Sequence, residues 1–359
     1  MQLLLSLLVI VLESYLAVTG AMAEHIAAIL PQEAPVTASV DAAVAPDYLQ
    51  ELGTSYDAIP QILIDNLPSQ EAAVITGLDQ AGITTPTNDP SEAVVNIYCT
   101  YRNGDRVYAT AGTGFIIDPK GIILTNAHVA HSLVLEEMRG ESDCVIRTGD
   151  PAVATYKAEL LYISIAWVIE HADELTTARP KGTGERDFAL LYISNGVDNE
   201  PVPSTLPYVH ARNQYLTQSA ADDTVSLIGY PAATAFAAES IDAKLPKMSA
   251  TTSISELMTF GSNRPDVIEV RGTPLGEQGV SGSPVIDDTQ VAIGMVSTLG
   301  QEERSLRALT IPYIDRTIEE ETGRTLQEYL EGDVALRSKL FKDLIVPFLQ
   351  NVLNDAGVE

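Results

Sequence analysis

From residue 93 to about residue 313 the chain alternates short apolar runs with polar turns. Runs of this kind, rich in Val, Ile, Thr and aromatic residues and bounded by Gly, Asn, Asp or Pro, predict β-strands. The predicted strands cover residues 93–101, 106–118, 121–126, 144–147, 157–163, 188–193, 224–229, 248–260, 267–271, 284–286, 291–298 and 309–312. Because the strands are many and short, the pattern favours an all-β fold of barrels or sandwiches over a βαβ fold.

The last part of the chain, from about residue 314, has a helical period instead. An apolar stripe runs along it, formed by Leu340, Phe341, Leu344, Ile345, Phe348, Leu349 and Val352, and Pro347 interrupts the stripe. Such a stripe is typical of helices that pack on their own protein, which is the interpretation adopted here. The alternative is a surface that binds a membrane or a partner.

Residues 24–92 differ from both regions. They begin with an acidic stretch rich in Ala, Pro and Val, and continue with short helix-compatible pieces that prolines interrupt. This composition predicts an acidic linker or pro-segment that is partly helical or disordered.

The first 23 residues predict an export signal. An apolar core at residues 3–12 is followed by Ala21-Met22-Ala23, which fits an A-x-A cleavage site. The alternative is an uncleaved anchor over residues 2–23, in which Glu13 would lie in the membrane at a cost of about 2.5–3.5 kcal/mol. We therefore expect an exported protein, extracytoplasmic or secreted, with membrane contact only if this segment stays uncleaved.

The composition excludes some classes of partner and site. With 21 Lys and Arg against 49 Asp and Glu, the formal net charge is -28, so the basic clusters that nucleic acid requires are not expected. The sequence contains no Cys-x-x-Cys or His-Glu-x-x-His motif and no Gly-rich phosphate loop, so neither a metal site nor a cofactor is expected. Its two cysteines, Cys99 and Cys144, are compatible with one disulfide or with two buried thiols.

Ser281 lies in a glycine-rich stretch, Gly-Val-Ser-Gly-Ser-Pro, at residues 279–284. A nucleophilic serine needs such a turn, because glycine lets the backbone approach a carbonyl carbon closely and leaves amides free to bind a developing oxyanion. The alternative is an ordinary surface turn, which is common for this composition. The choice depends on whether a histidine and an acid are placed to serve the serine.

Among the five histidines, His128 has an unusual setting, since two apolar runs precede it and predict that it lies at a strand end. The candidate acid is Asp187, which opens the apolar run 188–193. A carboxylate at the edge of an apolar strand is costly to bury unless it is paired, and orienting an imidazole is one such pairing. A capping or turn role for Asp187 is the alternative.

With these residues identified, the sequence resembles the trypsin/chymotrypsin-like serine peptidases, in the bacterial HtrA/Deg-like or glutamyl-endopeptidase-like branch. The matching segments are residues 112–118 (GTGFIID), 124–129 (LTNAHV), 187–191 (DFALL) and 279–285 (GVSGSPV). Their order, His then Asp then Ser, is that of chymotrypsin. The resemblance covers about residues 93–320 and implies a chymotrypsin-like double β-barrel with the site between the barrels.

The implied organisation has four parts: a signal peptide (1–23), an acidic linker or pro-segment (24–92), the peptidase domain (93–320) and a C-terminal helical extension (321–359). The resemblance implies a triad of Ser281 as nucleophile, His128 as base and Asp187 as the group that orients the histidine. The amides of Gly279 and Ser281 would form the oxyanion hole. The implied substrate pocket comprises Leu275, Gln278, Ser297, Thr298 and Leu299, and the Ser297 hydroxyl would also support Asp187.

Two residues of the nucleophile motif depart from the family pattern. Val280 replaces the acid that pairs with a newly cut N-terminus in trypsin-like zymogens, and no Ile-Val-Gly-Gly activation site occurs. No activation switch of that type is therefore expected. Ser283 replaces the second glycine and adds a side chain behind the nucleophile. Leu275 at the pocket base provides no carboxylate for Arg or Lys, which favours small or apolar residues before the cut, and no PDZ domain fits after residue 320.

These features predict a serine endopeptidase that hydrolyses protein or peptide substrates through an acyl-enzyme. The first alternative is a catalytically inactive binding protein on a peptidase fold, which Val280 and Ser283 motivate. The second is an esterase or another acyl transferase that uses the same triad.

Overall fold

The computed structural model describes residues 86–356, apart from residues 104–105, 140–141, 173–182, 232–244, 262 and 277–278. The predicted signal peptide, the acidic segment up to residue 85 and Gln278 lie outside the described residues. Within the described ranges, no helix is both long and apolar enough to cross a membrane.

Six antiparallel strands form a first closed barrel. They are β1 (Val94–Asn103), β2 (Arg106–Asp118), β3 (Ile122–Thr125), β4 (Ser142–Thr148), β5 (Val153–Ile163) and β6 (Ala189–Gly196), in the spatial order β1-β2-β3-β6-β5-β4. All four residues of β3 are buried, as expected of an apolar strand with neighbours on both edges. Cys99 on β1 lies directly opposite Cys144 on β4, and a disulfide joins them.

A second closed barrel follows in the chain. Its strands are β7 (Thr224–Gly229), β8 (Met248–Met258), β9 (Val267–Val270), β10 (Pro284–Ile286), β11 (Ala292–Leu299) and β12 (Leu306–Thr310), in the order β10-β11-β12-β9-β8-β7. The predicted chymotrypsin-like double β-barrel is therefore confirmed. Its strands were predicted in the right number, and β7 and β10 have the predicted bounds.

Two helices inside the first barrel's connections were not predicted. Helix α1 (Ala127–Arg139) follows β3, and α2 (Ile165–His171) follows β5. His128 is therefore the second residue of a helix and does not lie at the end of β3, which stops at Thr125. The prediction that His128 lies at a strand end was wrong, because the chain enters helix α1 directly after β3 and His128 lies in the first turn of that helix.

Four helices form the C-terminal part: α3 (Ile311–Thr322), α4 (Leu326–Leu330), α5 (Val334–Leu344) and α6 (Val346–Asp355). The helical tail is thus confirmed, and the boundary expected between residues 320 and 321 lies inside α3. Most of the apolar stripe packs into the first barrel's core, although Leu344 and Phe348 stay 41% and 38% exposed. The Ser338 hydroxyl also donates to the carbonyl of Leu160 on β5 at 2.9 Å.

Candidate active site

Asp187 and His128 form a close pair at the junction of β6 and α1. The imidazole Nδ1 lies 2.8 Å from Oδ2 and 3.0 Å from Oδ1 of the carboxylate. A carboxylate at this distance requires the proton on Nδ1, which leaves the lone pair on Nε2. The Asp187 side chain is 5% exposed and that of His128 is 31% exposed, so the acid is buried and the histidine is partly open to solvent.

The same carboxylate caps helix α1. The amide of His128, in the first helical turn, donates to Asp187 Oδ1 at 2.9 Å. Amides of a first turn have no partner within the helix, and the helix dipole favours a negative charge there. The side chain of Asn126, just before the helix, donates to the carbonyl of Asp187 at 2.9 Å. Asp187 therefore fills both roles that the sequence left open, because it caps a helix and also orients an imidazole.

Ser297 on β11 supplies a further contact from the second barrel. Its hydroxyl donates to Asp187 Oδ2 at 2.7 Å. Gly184 lies against the same hydroxyl, since a Cβ added to it would stand 3.0 Å from Ser297 Oγ. The acid is thus held by groups from both barrels.

The two histidines of α1, His128 and His131, have pKa values shifted in opposite directions. Burial alone would lower the pKa of His128, but the charge of Asp187 and its hydrogen bond outweigh burial and raise that pKa. Burial lowers the pKa of His131 to about 4, against the effect of its contact with the His128 carbonyl at 2.6 Å. Around neutral pH His131 is therefore uncharged, and His128 is the imidazole of this helix that titrates.

Ser281 lies on a turn with unusual backbone angles. Gly279 and Gly282, on its two sides, have φ values of 92° and 87°, in the left-handed region that favours glycine. A Cβ on Gly282 would stand 1.8 Å from the carbonyl oxygen of Thr113, so the turn needs glycine for space as well. Within the described part of the chain, the amides of Gly279 and Ser281 have no acceptor, and no hydrogen bond joins Ser281 Oγ to His128.

Thr113 on β2 holds this turn from the first barrel. Its amide donates to the carbonyl of Ser281 at 2.8 Å, and its hydroxyl donates to the carbonyl of Gly279 at 2.9 Å. The same hydroxyl accepts the amide of Tyr230 at 3.1 Å. The Thr125 hydroxyl, three residues before His128, donates to the carbonyl of Thr113 at 2.7 Å. Thr113 therefore links the serine turn to the strand end that precedes the histidine.

If Ser281 is the nucleophile that the motif predicts, replacing Thr113 by valine should slow its reaction with a fluorophosphonate, while Thr113→Ser stays close to wild type. Valine keeps the branched shape but leaves the Gly279 carbonyl and the Tyr230 amide without a partner, at about 1–3 kcal/mol for each buried group. A turn displaced by about 1 Å costs up to about 100-fold in rate. Fluorophosphonate labelling rates of the folded variants measure the effect, and equal rates for valine and serine would contradict the role of the hydroxyl.

Ser283 points away from the cleft, into the space beside Gly229 on β7. It is 1% exposed, and its hydroxyl has no hydrogen-bond partner among the described residues. A Cβ on Gly229 would stand 2.2 Å from Ser283 Oγ but 3.4 Å from Ser283 Cβ. Ser283 is accommodated because the residue beside it on the neighbouring strand, β7, is a glycine.

This pairing predicts a rescue. Gly229→Ala alone should lower the free energy of unfolding by about 1–3 kcal/mol, as overpacking does. In a Ser283→Ala background the same substitution should cost less, since the Ser283 hydroxyl is the nearest obstruction and the next, Thr113 Oγ1, stands 3.3 Å from the added Cβ. Ser283→Ala alone removes a buried unpaired hydroxyl and should raise stability by about 1 kcal/mol. Urea denaturation of the four proteins tests this, and additive effects of the two substitutions would contradict the pairing.

The remaining predicted residues lie in different environments. Val280 is 2% exposed and Leu275 is fully buried, both in the apolar core of the second barrel. Val280 therefore cannot pair with a charged N-terminus. On β11, Ser297 lies at the acid, Thr298 is half-buried and Leu299 is 63% exposed. The assignment of Leu275, Thr298 and Leu299 to a substrate pocket stays a prediction.

Neither Thr113 nor Asn126 was assigned a role from the sequence, although they belong to the motifs at residues 112–118 and 124–129. The available signal was a polar residue inside an apolar motif, Thr113 between two glycines and Asn126 two residues before His128. A polar side chain in such a buried setting is expected to have a hydrogen-bond partner. Both are fully buried. No group of three or more His, Cys, Asp or Glu side chains in the described ranges could hold a metal ion.

Comparison with known proteins shows the family to which the chain belongs. No curated protein matches it. The Rv3671c protease from M. tuberculosis, in its active form, is 20% identical over 66% of this chain and 83% of that one, with a TM-score of 0.40. An inactive mutant of Rv3671c from M. tuberculosis H37Rv is 18% identical over 67% of this chain and 96% of that one, again with a TM-score of 0.40. Residues 112–295, which carry all three triad candidates, match the family described as "Trypsin-like peptidase domain". The chain therefore belongs to the trypsin-like peptidase family.

Proposed function

We propose that this protein is a serine endopeptidase that hydrolyses peptide bonds with Ser281, His128 and Asp187 as its catalytic triad. The observation that carries the proposal is the buried Asp187 carboxylate, which lies 2.8 Å from His128 Nδ1 and fixes the imidazole with Nε2 outward. The missing contact between Ser281 and His128 is compatible with this role, because catalytic hydrogen bonds often tighten only when substrate binds.

The reaction would proceed in two halves. His128 Nε2 takes the proton of the Ser281 hydroxyl as its oxygen attacks the scissile carbonyl carbon. The amides of Gly279 and Ser281 bind the negative oxygen, each typically contributing about 2.7–4 kcal/mol. As the carbon–nitrogen bond breaks, His128 passes the proton to the leaving amine. A water molecule then attacks the acyl ester by the same route, releasing the new carboxyl end and restoring the Ser281 hydroxyl.

The substrates we propose are proteins or peptides with a small or apolar residue before the cut. Leu275, at the position expected to form the pocket base, offers no carboxylate to a cationic side chain. Leu299 leaves an apolar surface beside the cleft strand β11, since it is 63% exposed. Both features favour apolar over basic residues at the cut.

We also propose that the protein is exported. The apolar segment 3–12 and the following Ala21-Met22-Ala23 support this, and so does the Cys99–Cys144 disulfide, since such bonds persist in oxidising compartments. The mass of the mature N-terminus after expression in a secreting host tests the cleavage. A full-length chain retained in the cytoplasm would contradict export.

The experiment that tests the function is a cleavage-site survey on a peptide library, comparing wild type with Ser281→Ala. Wild type should cut after small or apolar residues and should react with a fluorophosphonate probe, whereas Ser281→Ala should do neither. A folded wild-type protein that stays unlabelled and cuts nothing would support the inactive binding protein instead. Turnover of esters without cleavage of unfolded protein would support an esterase.

A further inference from the structure

Arg186, the residue just before Asp187, has a strained backbone. Its φ is 56°, in the left-handed region that a long side chain rarely adopts. Such a conformation persists only where the surroundings hold it in place. Two groups of helix α3 do so: the hydroxyl of Tyr313 accepts the Arg186 amide at 2.9 Å, and the carboxylate of Glu321 lies 3.3 Å from its Nε.

Glu321 also binds the first barrel. Its carboxylate accepts the hydroxyl of Tyr162 at 2.6 Å and that of Ser164 at 2.8 Å. The Glu321 side chain is only 11% exposed, and that of Arg186 is 27% exposed. A carboxylate this deeply placed is costly unless it is paired and hydrogen-bonded, and these three partners offset part of that cost. Burial still outweighs them and raises the pKa of Glu321.

The contacts of Glu321 reach the residues on both sides of Asp187 in the chain. On one side of Asp187, Glu321 pairs with Arg186. On the other side, the ring of Tyr162 stacks on Phe188 with centroids 5.7 Å apart and planes 19° apart. The Phe188 amide in turn donates to the Arg186 carbonyl at 2.8 Å. The side chains of both neighbours of Asp187 are therefore linked to one carboxylate, that of Arg186 directly and that of Phe188 through the ring of Tyr162.

We propose that Glu321 is a positioning residue for Asp187, holding Arg186 and Tyr162 so that the acid faces both His128 and Ser297. This role rests on the proposed function, since it concerns the acid of the triad. It gives helix α3, which starts at the end of β12 in the second barrel, the task of fixing a loop of the first barrel. The ion pair of Glu321 with Arg186 is the contact that carries this task.

The test uses the full chain with Glu321→Gln and Arg186→Gln, singly and together. Glu320→Gln is the matched control, since it removes the same charge from the neighbouring, 60% exposed residue of the same helix. Each test variant should lower kcat by between about tenfold and about 100-fold, the upper value being the cost of a displacement of about 1 Å, with KM little changed. The double variant should lose no more than the worse single one, as coupled residues do.

The titration of His128, followed by NMR on histidine-labelled protein, separates positioning from simple charge effects. Removing the negative Glu321 would by charge alone lower the pKa of His128, and removing the positive Arg186 would raise it. Loss of positioning weakens the contact with Asp187 in both variants, so both should lower that pKa. A shift in opposite directions, or wild-type kcat in both single variants, would overturn the proposal.

The NMR titration needs no turnover, so it distinguishes this inference from the proposed function. If wild type shows no peptidase activity, the proposed function fails, and the direction of the two shifts still decides whether Glu321 positions Asp187. If Glu321→Gln does not fold, the more exposed Arg186→Gln gives the decisive measurement. In that variant, an unchanged or raised His128 pKa would overturn the proposal.

Discussion

Alanine at Ser281 or at His128 should lower kcat for peptide hydrolysis by about 10⁶-fold, and alanine at both should lower it by about the same factor rather than by the product. The reason is that the two residues act as one unit in the proposed mechanism. Without Ser281 there is no oxygen for the histidine to activate, and without His128 the serine keeps its proton. The oxyanion amides remain in every variant, so a residual rate about 10³–10⁴-fold above that in water should survive.

Steady-state turnover combined with fluorophosphonate titration measures these losses. Ser283→Ala is the matched control, because it removes a hydroxyl from the same turn that points away from the cleft. It should keep labelling and turnover. Clearly additive losses in the double variant would mean that Ser281 and His128 do not act in one step, and labelling of Ser281→Ala would place the nucleophile elsewhere.

Asparagine at Asp187 should lower kcat near neutral pH by about 10⁴-fold, the second largest effect expected. The amide keeps the size of the carboxylate but cannot hold the proton of His128 on Nδ1, so Nε2 no longer serves as a base. The same change removes the negative charge at the start of helix α1, which contributes up to about 2 kcal/mol in a partly buried setting. Activity and thermal stability should therefore fall together, whereas Ser281→Ala should leave stability near that of wild type.

The pH profile follows from the same contact. Asp187 raises the pKa of His128 above the ordinary value of 6.5, so the acid limb of kcat/KM should lie above about pH 6.5. The base is protonated and inactive below that limb. The contribution of the His128–Asp187 pair to the free energy of unfolding has the opposite pH dependence. It is complete below the pKa of the histidine in the unfolded chain and is lost as pH rises through the raised pKa of the folded protein. In Asp187→Asn the limb should move to lower pH, and an unmoved limb would contradict the assignment of Asp187.

The barrels could be predicted from the sequence because strand signals are local. Each run of β3 or β10 carries its own apolar pattern and its own turn residues. The order of the three triad motifs was also readable, since each motif occupies one short segment. Neither inference required knowledge of which strands are neighbours.

Helix α1 could not be predicted in this way. The usual sequence signal for a helix start is an N-cap residue, a Ser, Thr, Asp or Asn whose side chain binds the amides of the first turn. Here the carboxylate that binds the His128 amide belongs to Asp187, 59 residues further along the chain. Asn126, just before the helix, is a residue type that favours a helix start, but its side chain donates to the carbonyl of Asp187 rather than capping the first turn. The group that caps His128 therefore lies in the segment before β6, where the local sequence around residue 127 cannot show it.

The residues that hold the site in place could not be predicted from the sequence for the same reason. Thr113 meets Gly279 across 166 residues, and Ser164 meets Glu321 across 157. No periodicity relates such partners, so a sequence shows each as an isolated polar residue. The reacting groups are recognisable by type, whereas the groups that hold them are recognisable only by contact.

Because Thr113 belongs to the first barrel and Ser281 to the second, the nucleophile turn is complete only when both barrels have folded and docked. Synthesis delivers the first barrel well before residue 281 emerges, at about 5–20 residues per second. A chain with only one barrel formed lacks the contacts of Thr113 with the turn that carries Ser281. In the proposed peptidase, a chain with one barrel formed would therefore have no competent nucleophile for self-cleavage.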